Sequence, residues 1–149
     1  MLNLTMQLDK FTDYALRVLV ALAVRAPEKL SVSAIARLYG LSENHLSKVA
    51  SALVHGGFVH SARGRQGGLT LARSDRDISI GAVIRHLKAD APVVECFGQN
   101  GSCRILPVCG LREPLAQAQE AFFAALDDVT LADVTASKVG LGKLLQFEG

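Results

Sequence analysis

Residues 31–59, SVSAIARLYGLSENHLSKVASALVHGGFV, admit few folds, because they carry two short runs of helically spaced apolar residues separated only by the few residues around Gly40. Ser31 is placed to cap the first run, Ile35 and Leu38 supply its apolar contacts, and Gly40 is free to take the left-handed conformation that closes it. Ser42 is placed to cap the second, with Leu41 before the cap and Leu46 at the fourth helical position forming a hydrophobic staple. Two helices joined by so tight a turn form a helix-turn-helix. In the second helix Leu46, Val49 and Leu53 make the inward stripe, which leaves Asn44, His45, Ser47, Lys48 and Ser51, together with the cap Ser42, for the other surfaces. Such a motif sets the first turns of its second helix against base edges in a major groove. There Asn44 and His45 are suited to bond bases, and Ser42, Ser47 and Lys48 to hold phosphates.

The residues that follow extend this reading. Residues 58–62 and 69–72 have the composition of two short strands, joined by RGRQGG, in which Gly64, Gly67 and Gly68 permit a tight path and Arg63, Arg65 and Gln66 occupy the tip. A basic hairpin directly after a helix-turn-helix is a wing, and its arginines suit phosphates or a narrow minor groove. The loop lacks the GxxxxGK[ST] spacing of a nucleotide-binding loop.

Elsewhere the pattern is helical. Phe11, Ala15, Val18 and Leu22 share one face of a first helix, with Thr12 a candidate cap and Pro27 its end. A helix over 80–88 presents Ile80, Val83, Ile84 and Leu87, and a longer one over 114–128 begins at Pro114. The long helix and its end carry Leu115, Ala118, Phe122, Ala125 and Val129 on one side, widened by Phe123 and Leu126; in so small a chain that face invites a second copy. A short helix over 131–136 and a frayed tail follow. The predicted fold is mainly α: a winged helix-turn-helix DNA-binding domain with a two-stranded wing over 1–90, a cysteine-bearing loop over 91–112, a dimerisation helix and short following helix over 113–136, and a flexible tail over 137–149.

With 149 residues, half of them hydrophobic, the chain can bury one ordinary core or two small ones that share an interface. Residues 1–10 lack the basic start and apolar run of a signal peptide, and the apolar stretch 15–24 is too short for a bilayer and contains Arg17. A cytoplasmic protein without a membrane partner is expected. Net charge is +2, but residues 1–90 hold 12 Lys and Arg against 7 Asp and Glu, and residues 91–149 hold 4 against 7. That asymmetry fits a nucleic-acid-facing front and a separate rear.

The only cysteines, Cys96, Cys103 and Cys109, fall within fourteen residues. In a reducing compartment an odd, closely spaced set is a poor disulfide framework and a better metal or redox centre. Three thiolates suit an iron-sulfur cluster that finds a fourth ligand elsewhere, or a tetrahedral zinc completed by oxygen or nitrogen. A thiol enzyme lacks an acid-base partner near the loop, since all four histidines lie in the first 90 residues.

Taken together, KFTDYALRVL, IARLYGLSENHLSKV, RGRQGGLTLAR, VECF, the three cysteines and AFFAALDDVTLADV resemble the iron-sulfur winged-helix repressors that include NsrR, IscR and RirA, over almost the entire chain. The resemblance implies a homodimer on a palindromic double-stranded operator, with one iron-sulfur cluster per subunit near the dimer interface; a 4Fe-4S cluster is favoured over 2Fe-2S. Within that family the NsrR-like members take a fourth ligand from an aspartate in the first helix of the partner subunit, in the motif that reads KFTD here, which maps to Asp13. IscR-like members use a histidine three residues after the last cysteine, where this chain has Arg112, and RirA-like members tend to lack the aspartate. The match favours a nitric-oxide-sensitive repressor, with an iron- or redox-responsive regulator of the same fold as the alternative. The first two cysteines are separated by six residues, one more than the common family spacing, and the last two by five.

Overall fold

The protein is described by a computed structural model covering residues 8–88, 104–105 and 108–146. Helix α1 (Lys10–Arg25) buries Thr12, Ala15, Val18, Leu19 and Leu22. Its cap is Asp9, whose carboxylate accepts the Thr12 backbone N–H at 2.9 Å. Thr12, the cap expected from the sequence, is instead the third residue of the helix and fully buried.

Helix α2 (Val32–Tyr39) is capped by the Ser31 hydroxyl and closed by Gly40 at φ +66°. Helix α3 (Glu43–His55) follows after three residues and is capped by Ser42. Leu46, Val49 and Leu53 of α3 are buried against α1 and α2. Strands β1 (Val59–Ala62) and β2 (Gly68–Leu71) pair antiparallel, with Val59 opposite Leu71 and Ala62 opposite Gly68. At the turn the Gly67 N–H reaches the Gly64 carbonyl at 2.9 Å, so Arg65 and Gln66 form the corner. A side chain on Gly67 would strike the Ala62 carbonyl and Arg63 backbone. The wing is not free-standing: Leu30 exchanges two backbone hydrogen bonds with Leu69, at 3.1 and 2.7 Å, which fastens β2 to the entrance of α2.

A single turn of 3-10 helix at Asp75–Asp77 leads into α4 (Ile80–Leu87), and α5 (Arg112–Asp127) packs on α4. Helix α5 starts two residues before the predicted Pro114; proline is tolerated there because first-turn N–H groups have no intrahelical acceptor. Phe123 and Leu126 turn toward the core, whereas Phe122 is 36% exposed and Ala118 is exposed. Helix α6 (Leu131–Val134), shorter than the predicted 131–136, is anchored by Leu131, which is fully buried in the same core as Leu19, Ile35 and Ile84. Thus the segment expected to form a separate dimerisation unit contributes a residue to the winged-helix core. Backbone bonds from Ile80 to Val129 and from Leu131 to Ile78, both 2.8 Å, close that junction. Among the described residues, no helix is long and apolar enough to cross a membrane.

The tail differs most from the sequence expectation. Lys138–Leu144 forms α7, which lies against α1, and the Lys138 ammonium meets the Asp75 carboxylate at 2.9 Å. The hydrogen bond from Lys138 holds the Asp75 carboxyl below its ordinary value against the opposing effect of burial. A depressed carboxyl contributes stability above its unfolded value and loses it as pH falls through the folded one. Lys138→Ala should therefore lower stability by about 0.5 kcal/mol or less near neutral pH, the lysine being half exposed. In urea unfolding the gap between native and variant should close as pH drops below 3.8, the ordinary aspartate value; a gap that persists in acid would assign the docking of α7 to apolar contact alone.

Candidate nucleic-acid interface and metal centre

The N-terminal end of α3 and the wing tip carry the expected polar set. Asn44, Ser47 and Lys48 are exposed, as are Arg63, Arg65 and Gln66. Among the described residues Lys48, Arg63 and Arg65 form no ion pair, so their charge is available to an anionic partner. Ser42 is exposed, but its hydroxyl already accepts the His45 N–H at 3.3 Å as the helix cap.

His45, expected to face a base, also packs within the chain. Its half-buried ring meets Tyr14 edge-on at 5.0 Å between centroids and Phe11 at 6.1 Å, both on α1. The first turn of α3 passes beside α1, and an imidazole there gains more contact from two aromatic rings than from water. His45 thus adds an aromatic contact between the start of α3 and α1.

Lys29 also supports the wing. Its ammonium donates to the Gln66 carbonyl at 3.3 Å, steadying the turn that presents Arg65. Thirty-seven positions separate the two residues, and no local pattern links them.

The candidate ligands are only partly visible. Cys96 and Cys103 lie outside the described residues. Cys109 is a half-buried free thiol lining an open depression with Arg112, Glu113 and Ala116, just before α5. Asp13 sits in the first turn of α1 with its carboxylate half exposed and accepts two hydrogen bonds from Arg17, each 3.2 Å. Arg17 lies over the rings of Tyr14 and Tyr39, at 5.8 and 5.7 Å. The Tyr39 hydroxyl donates to the Arg17 carbonyl at 2.9 Å, and burial raises its phenol above the ordinary value. Among the described residues no three His, Cys, Asp or Glu side chains converge closely enough to hold a metal ion. The donor chemistry nonetheless fits an iron-sulfur group: Cys109 offers a reachable soft sulfur, and the Asp13 carboxylate is open to solvent apart from one guanidinium.

Known proteins place this architecture. The chain is 44% identical over 145 residues to the HTH-type transcriptional regulator NsrR of Bacillus subtilis, spanning 96% of this chain and 99% of that one. It is 44% identical over 137 residues to the HTH-type transcriptional repressor NsrR of Streptomyces coelicolor, spanning 91% and 92% respectively. The fold superposes on T. potens IscR with a TM-score of 0.68 at 26% identity, covering 97% of this chain and 95% of that one. Residues 8–137 match the Rrf2 model, described as an iron-dependent transcriptional regulator, and the chain belongs to the Rrf2 family.

Proposed function

We propose that the protein is a homodimeric, cytoplasmic transcriptional repressor that binds a palindromic operator and is released from it by nitric oxide acting at an iron-sulfur cluster. The observation that carries the DNA-binding part is the unpaired, exposed cation and amide set at the start of α3 and on the wing, held in place by a buried stripe on the opposite side of α3. Asn44 reads a base edge, while Ser42, Ser47, Lys48, Arg63, Arg65 and Gln66 position the helix and wing on the backbone. His45 contributes by fixing α3 against α1, and any base contact it makes is secondary to that packing.

Cys96, Cys103 and Cys109 of one subunit and Asp13 of the partner subunit would hold the cluster, preferably 4Fe-4S, with the exposed face of α5 bringing the two copies together. Bound there, the cluster would supply iron that nitric oxide can attack. The chain's own part is to offer Asp13, and that requires the carboxylate to leave Arg17. An exposed i,i+4 ion pair is worth only about 0.3–0.5 kcal/mol, so it presents little opposition to exchange. Once Asp13 engages the other subunit, α1 is tied to the partner's cysteine loop. Release of that tie frees α1, and through His45 the start of α3, changing the placement of two recognition helices that must reach major grooves about 34 Å apart.

Two experiments test this reading. In titrations across salt concentrations, Lys48→Ala and Arg65→Ala should each weaken binding to selected and random duplexes alike and reduce the salt slope by roughly one. Asn44→Ala should cost about 1–3 kcal/mol on a selected duplex and little on a random one; equal losses on both would remove Asn44 from base readout. For the ligands, an anaerobic preparation should be brown and carry iron and sulfide, and Asp13→Ala should bleach faster in air. Mixing Asp13→Ala with Cys103→Ala subunits should restore about half the native cluster content in heterodimers, since one of two composite sites is intact. Heterodimers that form without recovering iron would place all ligands in one chain, and a colourless zinc protein would sink the cluster altogether.

A further inference from the structure

Two neighbouring side chains of α4 point to different elements. Arg85 reaches α5 with four hydrogen bonds: to Asp127 at 2.9 and 2.8 Å and to Glu120 at 2.9 and 2.6 Å. Its guanidinium also lies 5.2 Å from the Phe123 ring centroid. Closer to the start of α4, Gly81 lets the helices touch, since a Cβ there would lie 2.6 Å from the Asp127 backbone, and the Ser79 hydroxyl donates to the Asp127 carbonyl at 2.7 Å. Helix α4 therefore follows the C-terminal half of α5 as one body.

His86, the next residue, turns to the far end of α3. Its Nε2 lies 3.0 Å from the Ala52 carbonyl, and since a carbonyl only accepts, that nitrogen carries the proton. The His86 ring packs on Phe58 at 5.9 Å and on His55 at 6.2 Å. It also lies so close to Gly56 that any side chain there would collide with it, at 2.7 Å. His45 thus fixes the start of α3 to α1 and His86 fixes its end to α4. A rigid helix of thirteen residues, ~20 Å long, is held at both ends.

We propose that Arg85 and His86 make α4 the link through which the position of α5 is handed to the recognition helix, with His86 a positioning residue of the DNA site. This rests on the reading of α3 as the DNA-contacting helix. Neither side chain needs to touch DNA: Arg85 is bound to α5 and His86 to the last turn of α3, so a shift of α5 tilts α3 about its grip at His45.

The test measures preference for a duplex enriched by the native protein from a random-sequence pool over a random duplex, at fixed salt, with thermal melting in parallel. His86→Ala should reduce that preference about tenfold, as expected for losing one part-buried hydrogen bond that holds the readout geometry. His86→Gln, whose amide can donate to the same carbonyl, should restore most of it. Arg85→Ala should reduce the preference although the hydrogen bonds of Arg85 all go to α5. The Arg85→Ala, His86→Ala double variant should be no worse than the poorer single, because a broken chain breaks only once. Independent packing roles would instead multiply. His86→Gln as poor as His86→Ala in a protein that melts like the native one, or multiplicative losses in the double variant, would overturn the proposal. If His86→Ala fails to fold, Arg85→Lys and His86→Gln carry the same comparison. Lys48→Ala separates the two readings: if it leaves binding to both duplexes unchanged, or if no duplex is enriched at all, the assignment of α3 to DNA fails, whereas a weakened Lys48→Ala beside unaffected His86 and Arg85 variants removes only the link.

Discussion

The arrangement depends on one constraint: α3 must bury Leu46, Val49 and Leu53 while its opposite face stays in water. Each of these side chains contributes about 1.5–3 kcal/mol when fully buried, and all three are 1% exposed or less. Among the described residues no single polar contact matches that sum, so the axis of α3 is set by the core and the polar contacts act as adjustments about it. The other elements follow from filling the volume around this stripe. Helix α1 covers it from one side through Ala15, Val18 and Leu22, α2 closes it with Ile35, and Val83 and Ile84 of α4 belong to the same core. Leu131 completes it from a segment almost eighty residues further along the chain. The face left in water is then the one that carries Asn44, Ser47 and Lys48.

What could be read from the sequence was what local chemistry decides. Ser31, Gly40 and Ser42 mark helix ends because a hydroxyl and a missing Cβ solve problems within three or four residues, and all three act as expected. The wing was legible for the same reason, as its glycines and strand residues are consecutive. Features that depend on distant partners were not. Helix α7 follows a Ser and contains two glycines, a poor helix by propensity, yet it forms against α1 and is fastened to Asp75, sixty-three positions away. Leu131 looked like part of a C-terminal unit because periodicity reports that a residue is buried without saying which core receives it. His45 was legible as polar and near the start of α3, but whether an imidazole faces a base or two aromatic rings depends on the crossing of α1, which no spacing reveals. Of the candidate metal ligands, the structure describes Cys109 and Asp13, and in a single chain it does not gather a metal site from the described residues.

The charge asymmetry has a structural counterpart. The front half carries the excess of cations, yet those cations are used in different ways. Among the described residues Lys48, Arg63 and Arg65 make no ion pair and face solvent, whereas Arg85 is turned to the rear and takes up two of the seven acids of residues 91–149. Its guanidinium is held protonated even more firmly than usual, by the hydrogen bonds to Glu120 and then to Asp127. The same bonds hold both carboxyls below their ordinary values against the opposing effect of desolvation, so acid sufficient to protonate them is needed to loosen the contact electrostatically.

Two arginines therefore make ion pairs of opposite character. Arg17 and Asp13 are four residues apart on one exposed helix surface, joined by two long hydrogen bonds of 3.2 Å, and solvent screens both partners. Arg85 binds two carboxylates of another helix through four bonds, the shortest 2.6 Å, with an aromatic ring beneath it and backbone contacts beside it. Both arginines bind a carboxylate through two parallel N–H groups, so what separates them is that Arg85 holds two carboxylates by shorter bonds and joins two helices, whereas Arg17 holds one within its own helix. In the proposed regulation this difference is functional. The contact that must open to free a ligand is the weak, local, solvated one, and the contact that must transmit movement without yielding is the multiply bonded one between helices. A chain with the strengths exchanged would hold Asp13 back from its proposed ligand role and let α5 slip past α4, uncoupling the two ends of the molecule.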